Sequence, residues 1–131
     1  MTLYVGTSGY SYKEWKGSFY PEKIQAKDML SYYSERLSTV EINATFYRMP
    51  KADLLENWKA QVPPGFRFSL KASQRITHFK RLKETEPETK YFLETAGVLG
   101  DQLGVVLFQL PPNMKKDLPR LESFLQLLKH H

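Results

Sequence analysis

Alternation is clearest in residues 66–73, where Phe66, Phe68, Leu70 and Ala72 fall on one side of an extended chain and Arg67, Ser69, Lys71 and Ser73 on the other. Period-two patterning of this kind predicts a strand with one apolar and one polar face. Residues 40–45 repeat the theme, with Val40, Ile42 and Ala44 opposed to Glu41, Asn43 and Thr45. A near-continuous apolar run, residues 104–110, is of the type buried in parallel sheets. Residues 3–6 read as a short first strand that ends in the turn Gly6-Thr7-Ser8-Gly9. Between the strands, apolar positions recur at helical spacing. Met29, Tyr32, Tyr33 and Leu37 mark a helix over 28–37, and Leu54, Leu55 and Trp58 face inward from one over 52–62 that stops at Pro63-Pro64-Gly65. Pro87 opens a third helix reaching about Leu99, with Gly100 as its stop. Leu121, Phe124, Leu125 and Leu128 mark a fourth over 118–129.

Strands alternating with helices predict an α/β protein with a parallel sheet. No low-complexity linker or strong internal repeat interrupts the 131 residues, so residues 1–131 read as a single domain. The polar faces of the second and third strands discriminate between architectures. An open doubly wound sheet is covered by helices on both faces and would penalise them. The interior of a β/α barrel tolerates polar groups, above all near the strand C-termini. A TIM-barrel-like arrangement is therefore expected, and since a closed barrel takes eight βα units and roughly 250 residues, about four units amount to a half barrel.

Composition narrows the function classes. There are no cysteines, which excludes disulfides, thiolate catalysis and cysteine-based metal sites within this chain. No apolar run approaches the roughly 20 residues of a membrane helix. The N-terminus enters strand-like sequence without a basic n-region or cleavage site, so a cytoplasmic location is expected. The net charge of +5 is uneven. Arg67, Lys71, Arg75, Lys80, Arg81 and Lys83 occur within 66–83 without an acidic residue, and Glu84, Glu86 and Glu88 follow at once. Such a segment either attracts anionic ligands, nucleic acid included, or is a solvated basic loop beside an acidic helix start.

Several segments together resemble a known family. Val5-Gly6-Thr7-Ser8-Gly9-Tyr10-Ser11-Tyr12 with Trp15-Lys16-Gly17 and Phe19-Tyr20-Pro21, the run from Val40 to Arg48, Phe68-Ser69-Leu70-Lys71-Ala72 with Ile76-Thr77-His78, and Leu107-Phe108-Gln109-Leu110-Pro111-Pro112 are similar, in order, to blocks of the YecE-like family of unknown function. The resemblance implies a TIM-barrel-like fold and no established activity or ligand. Members usually run to about twice this length, the length that a full barrel requires. This chain therefore reads as the N-terminal half. The outer strands of a half barrel are open edges, and self-association that closes the barrel is expected.

Glu41, Asn43, Lys71, Ser73 and Gln109 should gather at one mouth if the strands run parallel into a barrel. Glu41 suits general acid/base work or cation binding, and its structural alternative is an ion pair with Lys71. Lys71 can equally stabilise an anion or act as a Schiff-base nucleophile. His78, after Thr77, is the sole imidazole away from the C-terminus and hence the candidate for proton transfer near neutral pH; a loop-tethering role competes. Ser8 lies in a glycine-flanked turn whose N–H groups can meet an anion, although no P-loop, dinucleotide fingerprint or nucleophile elbow is present. Tyr10 and Tyr12 are read as a stacking wall near the site, with Trp15 and Phe19 structural. Tyr47 and Arg48 follow the second strand, where Arg48 can grip an anion. No organic cofactor motif occurs, and a divalent metal would have to use Glu41, Asn43 and His78 without a recognisable ligand spacing. Whether the protein is an enzyme stays open. The leading reading is an enzyme acting on a small anionic or sugar-like substrate at the strand C-termini. A nucleic-acid-binding protein using 66–83 and the aromatic loop 10–20, and an inactive half-barrel fragment, are the alternatives.

Overall fold

The computed structural model describes residues 1–131. Its four strands are β1 (Gly6–Ser8), β2 (Thr39–Ile42), β3 (Arg67–Lys71) and β4 (Leu103–Leu107), all parallel and in the order β1-β2-β3-β4. The register sets Ser8 beside Glu41, Glu41 beside Ser69, and Lys71 beside Leu107, with an irregularity between Phe68 and Leu70 where β3 meets β4. The helices are α1 (Met29–Ser34), α2 (Ala44–Tyr47), α3 (Ala52–Ala60), α4 (Glu86–Ala96) and α5 (Leu118–Leu128). This is the expected half of a β/α barrel.

The alternation read from the sequence becomes a division of labour between the faces of the sheet. Val40, Ile42, Phe68 and Leu70 point outward and are buried under the helices, which supply Leu30 and Tyr33 from α1, Leu55 and Trp58 from α3, Phe92 and Ala96 from α4, and Phe124 from α5. These side chains belong to one continuous apolar cluster, so the chain has a single core. Each large side chain fully withdrawn from water contributes about 1.5–3 kcal/mol. Trp58 lies nearly parallel to Phe68 with ring centres 6.2 Å apart. The buried Tyr33 hydroxyl accepts from the Thr7 N–H at 2.8 Å and donates to the Thr39 carbonyl at 2.9 Å, clamping α1 onto β1 and β2.

The first strand starts later than the pattern predicts. Gly6, Thr7 and Ser8, expected as a turn, are themselves β1. The reason is close backbone approach: a Cβ at Gly6 would overlap the Thr39 carbonyl oxygen, so glycine lets the strands pair here. Turning begins at Gly9, whose φ is +80°. The second strand ends earlier than predicted, at Ile42. Asn43 already has helical dihedrals, and Thr45 turns inward to donate to the Lys71 carbonyl at 2.7 Å. Asn43 and Thr45 therefore do not continue the face of Glu41. The first helix is also shorter than predicted, preceded by a 3-10 turn at Ala26–Asp28. Gly100, with φ +56°, marks the kink that separates the helical region from β4.

Two apolar predictions fail for one physical reason. Val105 of β4 is 61% exposed rather than buried, and Leu121 and Leu125 of α5 stand in solvent beside Leu118. Val105 faces the concave side with Glu41 and Ser69, and the Leu118, Leu121 and Leu125 stripe of α5 faces away from the core, so neither is covered. Leu54 also faces out, leaving Leu55 and Trp58 as the buried positions of α3.

The loop between β1 and α1 is an aromatic plug. Trp15, Phe19, Tyr20 and Tyr32 meet through ring contacts of 5.0–5.8 Å, and Tyr20 is buried with its hydroxyl donating to the Tyr10 carbonyl. Burial raises the Tyr10 and Tyr20 phenols above their ordinary range, so both remain protonated.

Candidate functional site

The C-terminal ends of β1, β2 and β3 converge around one short element, α2. Because β2 stops at Ile42 and the chain coils at once, Phe46 is carried to the end of β3. The Lys71 ammonium sits 4.5 Å from the centre of the Phe46 ring, a distance at which cation–π attraction operates. The His78 imidazole meets the same ring nearly edge-on, with centres 4.9 Å apart. His78 rides on a wide helical turn, Arg75–Phe79, and its Nδ1 lies 2.8 Å from the buried Thr77 hydroxyl. That contact fixes the ring while Nε2 has no partner within the chain. Tyr47, 72% exposed, flanks Phe46 at 5.0 Å. Lys71, His78, Thr77 and Tyr47 thus form a corner around Phe46.

No carboxylate neutralises this corner. The ion pairs are Glu35–Arg36, Lys80–Glu88 and Asp117–Arg120, and Lys71 is in none of them. The alternative of a Glu41–Lys71 ion pair is therefore not realised. Glu41 instead faces the concave side of the sheet, in a space of about 460 Å³ that it shares with Ser8, Thr39, Ser69, Val105 and Leu107. It is half-buried and makes no hydrogen bond to a side chain of the protein. Lys71 lies two residues beyond Ser69, the register partner of Glu41, so the two charges occupy successive layers about 7 Å apart along the strand.

On the other side of α2 is an aromatic cleft of about 230 Å³, lined by Tyr10, Tyr12, Ile42, Asn43, Ala44 and Trp58 among others. Its rim is held by a short chain of hydrogen bonds: the Tyr12 hydroxyl donates to the Ser8 carbonyl, and the Asn43 amide donates to the Ser8 hydroxyl. Ser8, Tyr12 and Asn43 are thereby joined at the ends of β1 and β2. Ala44 lies in the cleft and Phe46 in the cationic corner, so a single helical turn connects both.

The remaining candidates stand apart. Ser73 is buried and accepts from the Arg75 N–H at 3.2 Å, which caps the turn bearing His78. Arg48 and Gln109 are exposed and have no side-chain partners. Three members of the basic segment are engaged within the chain. Arg67 donates back to the Pro64 and Phe66 carbonyls at the start of β3, Lys80 pairs with Glu88, and Arg81 reaches Asn113. No three His, Asp or Glu side chains are grouped so as to hold a metal ion. A larger cavity, about 640 Å³, is framed by Glu56, Lys59, Pro64 and Asp101 among others. Pro64 precedes β3, which places this cavity towards the strand N-termini, the end that serves stability in such barrels. Sequence patterning missed Phe46 and Trp58 as site residues. Only the alternation of 40–45 breaking into Phe46-Tyr47-Arg48 hinted at the former.

This geometry can be set beside known proteins. The family model described as "Protein of unknown function DUF72" matches residues 4–131. The chain belongs to this DUF72 family. It is 31% identical over 116 residues to the UPF0759 protein YunF of Bacillus subtilis, covering 84% of this chain and 40% of that protein. It is 28% identical over 127 residues to the UPF0759 protein YecE of Escherichia coli, covering 96% of this chain and 44% of YecE. The crystal structure of a DUF72 family protein from Thermotoga maritima superposes with a TM-score of 0.78 at 30% identity, over 97% of this chain and 51% of that one. A DUF72 protein from Enterococcus faecalis shares the fold, with a TM-score of 0.77 at 21% identity over 98% and 46% of the two chains. The DUF72 chain thus spans about half the length of the relatives it matches. The family has no assigned function. No helix in this DUF72 protein is long and apolar enough to cross a membrane.

Proposed function

We propose that the strand C-terminal end of this chain is a binding mouth for a small anionic, sugar-like molecule. The observation that carries the reading is the Lys71 ammonium, which has no carboxylate partner and shares the Phe46 ring with His78. A cation held without a counter-ion favours an anion from solution. His78 adds a second donor through Nε2, its other ring nitrogen being held by the Thr77 hydroxyl. The aromatic cleft on the other side of α2 offers apolar surface for the faces of a sugar ring. Glu41, one layer deeper, is the carboxylate suited to general acid/base work on such a ligand, which supports hydrolase or isomerase/lyase chemistry without an organic cofactor.

Calorimetric titration with inorganic phosphate and with a simple sugar phosphate, at matched ionic strength, tests the reading. Saturable binding is expected, tighter for the sugar phosphate. Lys71→Met should weaken it about tenfold or more, corresponding to about 1.4 kcal/mol. Glu41→Gln should leave binding of phosphate in place. Binding that is equal in the native chain and Lys71→Met would refute the assignment.

A further inference from the structure

We propose that the aromatic cleft beside α2 is a subsite for a single hydroxylated sugar ring, read by the Trp58 indole N–H and the Tyr10 hydroxyl. The inference deepens the reading above and rests on it for the anionic group of the ligand. It starts from a contrast across α2. The corner around Phe46 is cationic, whereas no charged side chain lines the cleft. A charge withdrawn there from water would go unpaired, so the part of a ligand that enters the cleft is neutral.

Three polar groups around the cleft lack a partner in the chain. Trp58 is 8% exposed, and its indole N–H makes no hydrogen bond, although a buried indole ordinarily finds an acceptor. The buried side-chain atoms cut off from every partner are Thr85 Oγ1, Glu88 Oε2 and Thr89 Oγ1. The Trp58 nitrogen is not among them, so solvent reaches it, and Trp58 lines the cleft. Its ring lies nearly parallel to Phe68, which fixes the plane in which the N–H points. Tyr10 engages the chain through its carbonyl, which accepts from Tyr20, while its own hydroxyl is unpartnered. Burial keeps that phenol protonated and hence able to donate. Asn43 gives an amide N–H to the Ser8 hydroxyl, which leaves its Oδ1 as an acceptor.

The placement of these groups selects the ligand. Tyr10 comes from the loop after β1, Asn43 from the end of β2 and Trp58 from α3. A sugar ring carries hydroxyls at several points of its rim, each a donor and an acceptor at once. A nucleobase presents a fixed pattern confined to one plane. Between the polar groups, Tyr12, Ile42 and Ala44 supply apolar surface for the C–H face of a ring. The cleft holds about 230 Å³, less than the roughly 300–1,000 Å³ of sites for drug-sized ligands. It has room for one ring and not for a chain of sugars.

Nuclear magnetic resonance on the whole chain, with labelled indole nitrogens, tests the proposal. The chain has two tryptophans, so two indole N–H signals are expected, and Trp15→Phe assigns them. Three ligands are compared: inorganic phosphate, glucosyl phosphate, and cyclohexyl phosphate, which keeps the ring but lacks its hydroxyls. Glucosyl phosphate should move the Trp58 signal downfield and saturably, and the other two should not. By calorimetry, cyclohexyl phosphate should bind at least about tenfold more weakly than glucosyl phosphate. Tyr10→Phe, its fold checked by circular dichroism, should narrow that difference about threefold. If glucosyl phosphate saturates the chain with the Trp58 signal unmoved, or cyclohexyl phosphate binds as tightly, the subsite is overturned while the cationic corner stands. If adenosine monophosphate moves the Trp58 signal and glucosyl phosphate does not, the cleft reads a base and the proposal falls. A Trp58 response of unchanged affinity in Lys71→Met supports the subsite and overturns the corner instead. Binding of none of these ligands overturns both.

Discussion

The two faces of the sheet have the same backbone and opposite chemistry. Outward, Val40, Ile42, Phe68 and Leu70 are at most 3% exposed and locked under four helices. Inward, Thr39, Glu41, Ser69 and Lys71 of the same strands are half-buried and largely unpaired, although Thr39 donates to the Arg67 carbonyl. The stability of one copy therefore comes from the outer layer, and the inner layer is free to be chosen for what it binds. A strand can serve both ends at once because successive side chains point to opposite faces.

The sharpest way to break this contrast is to cut one side chain from each face. Phe68→Ala should lower unfolding stability by about 3–5 kcal/mol. Its strand neighbour Ser69→Ala should change it by less than about 0.5 kcal/mol. Urea unfolding followed by circular dichroism measures both, and equal losses would abolish the distinction. A medium effect is expected where the layers are tied together. Tyr33→Phe keeps the ring but leaves the Thr7 N–H and the Thr39 carbonyl without their hydroxyl partner, costing about 1–3 kcal/mol in the same assay.

The smallest effect belongs to the rim. The Glu88 carboxylate accepts from the Lys80 ammonium at 2.7 Å, and this hydrogen bond holds its pKa below the ordinary carboxylate value. A carboxyl depressed in the folded state binds fewer protons there than when unfolded. Its stabilisation is then present above the unfolded pKa and is lost as pH falls through the folded one. Stability measured from pH 6 downward should fall less steeply in Lys80→Met than in the native chain. Identical slopes would remove Lys80 as the cause.

Much of the fold was legible because each helix and strand carries its own hydrophobic period, and the polar inner faces of 40–45 and 66–73 pointed to a barrel rather than an open sheet. What escaped was backbone geometry. Nothing in local hydropathy distinguishes Gly6 as a point of close strand approach from Gly9 as a turn, and the coil at Asn43 is stabilised by Thr45 reaching the distant Lys71 carbonyl. The site followed the same rule. Lys71, His78 and Glu41 could be nominated singly from residue type, but their grouping depends on Phe46, whose position follows from that coil. Arg48 and Gln109 had the right chemistry but are exposed and make no side-chain hydrogen bond or ion pair.

The strand order has a consequence for how the chain acquires its structure. Each strand pairs with the one before it, and the paired residues Gly6 and Thr39, Thr39 and Arg67, and Phe68 and Leu103 are separated by 33, 28 and 35 positions. No pairing joins the beginning of the chain to its end. Loop-closure entropy is then met in instalments of similar size rather than in one long-range step. As the polypeptide leaves the ribosome, each new βα unit finds its template already laid down, and the sheet can lengthen one strand at a time in the order of synthesis.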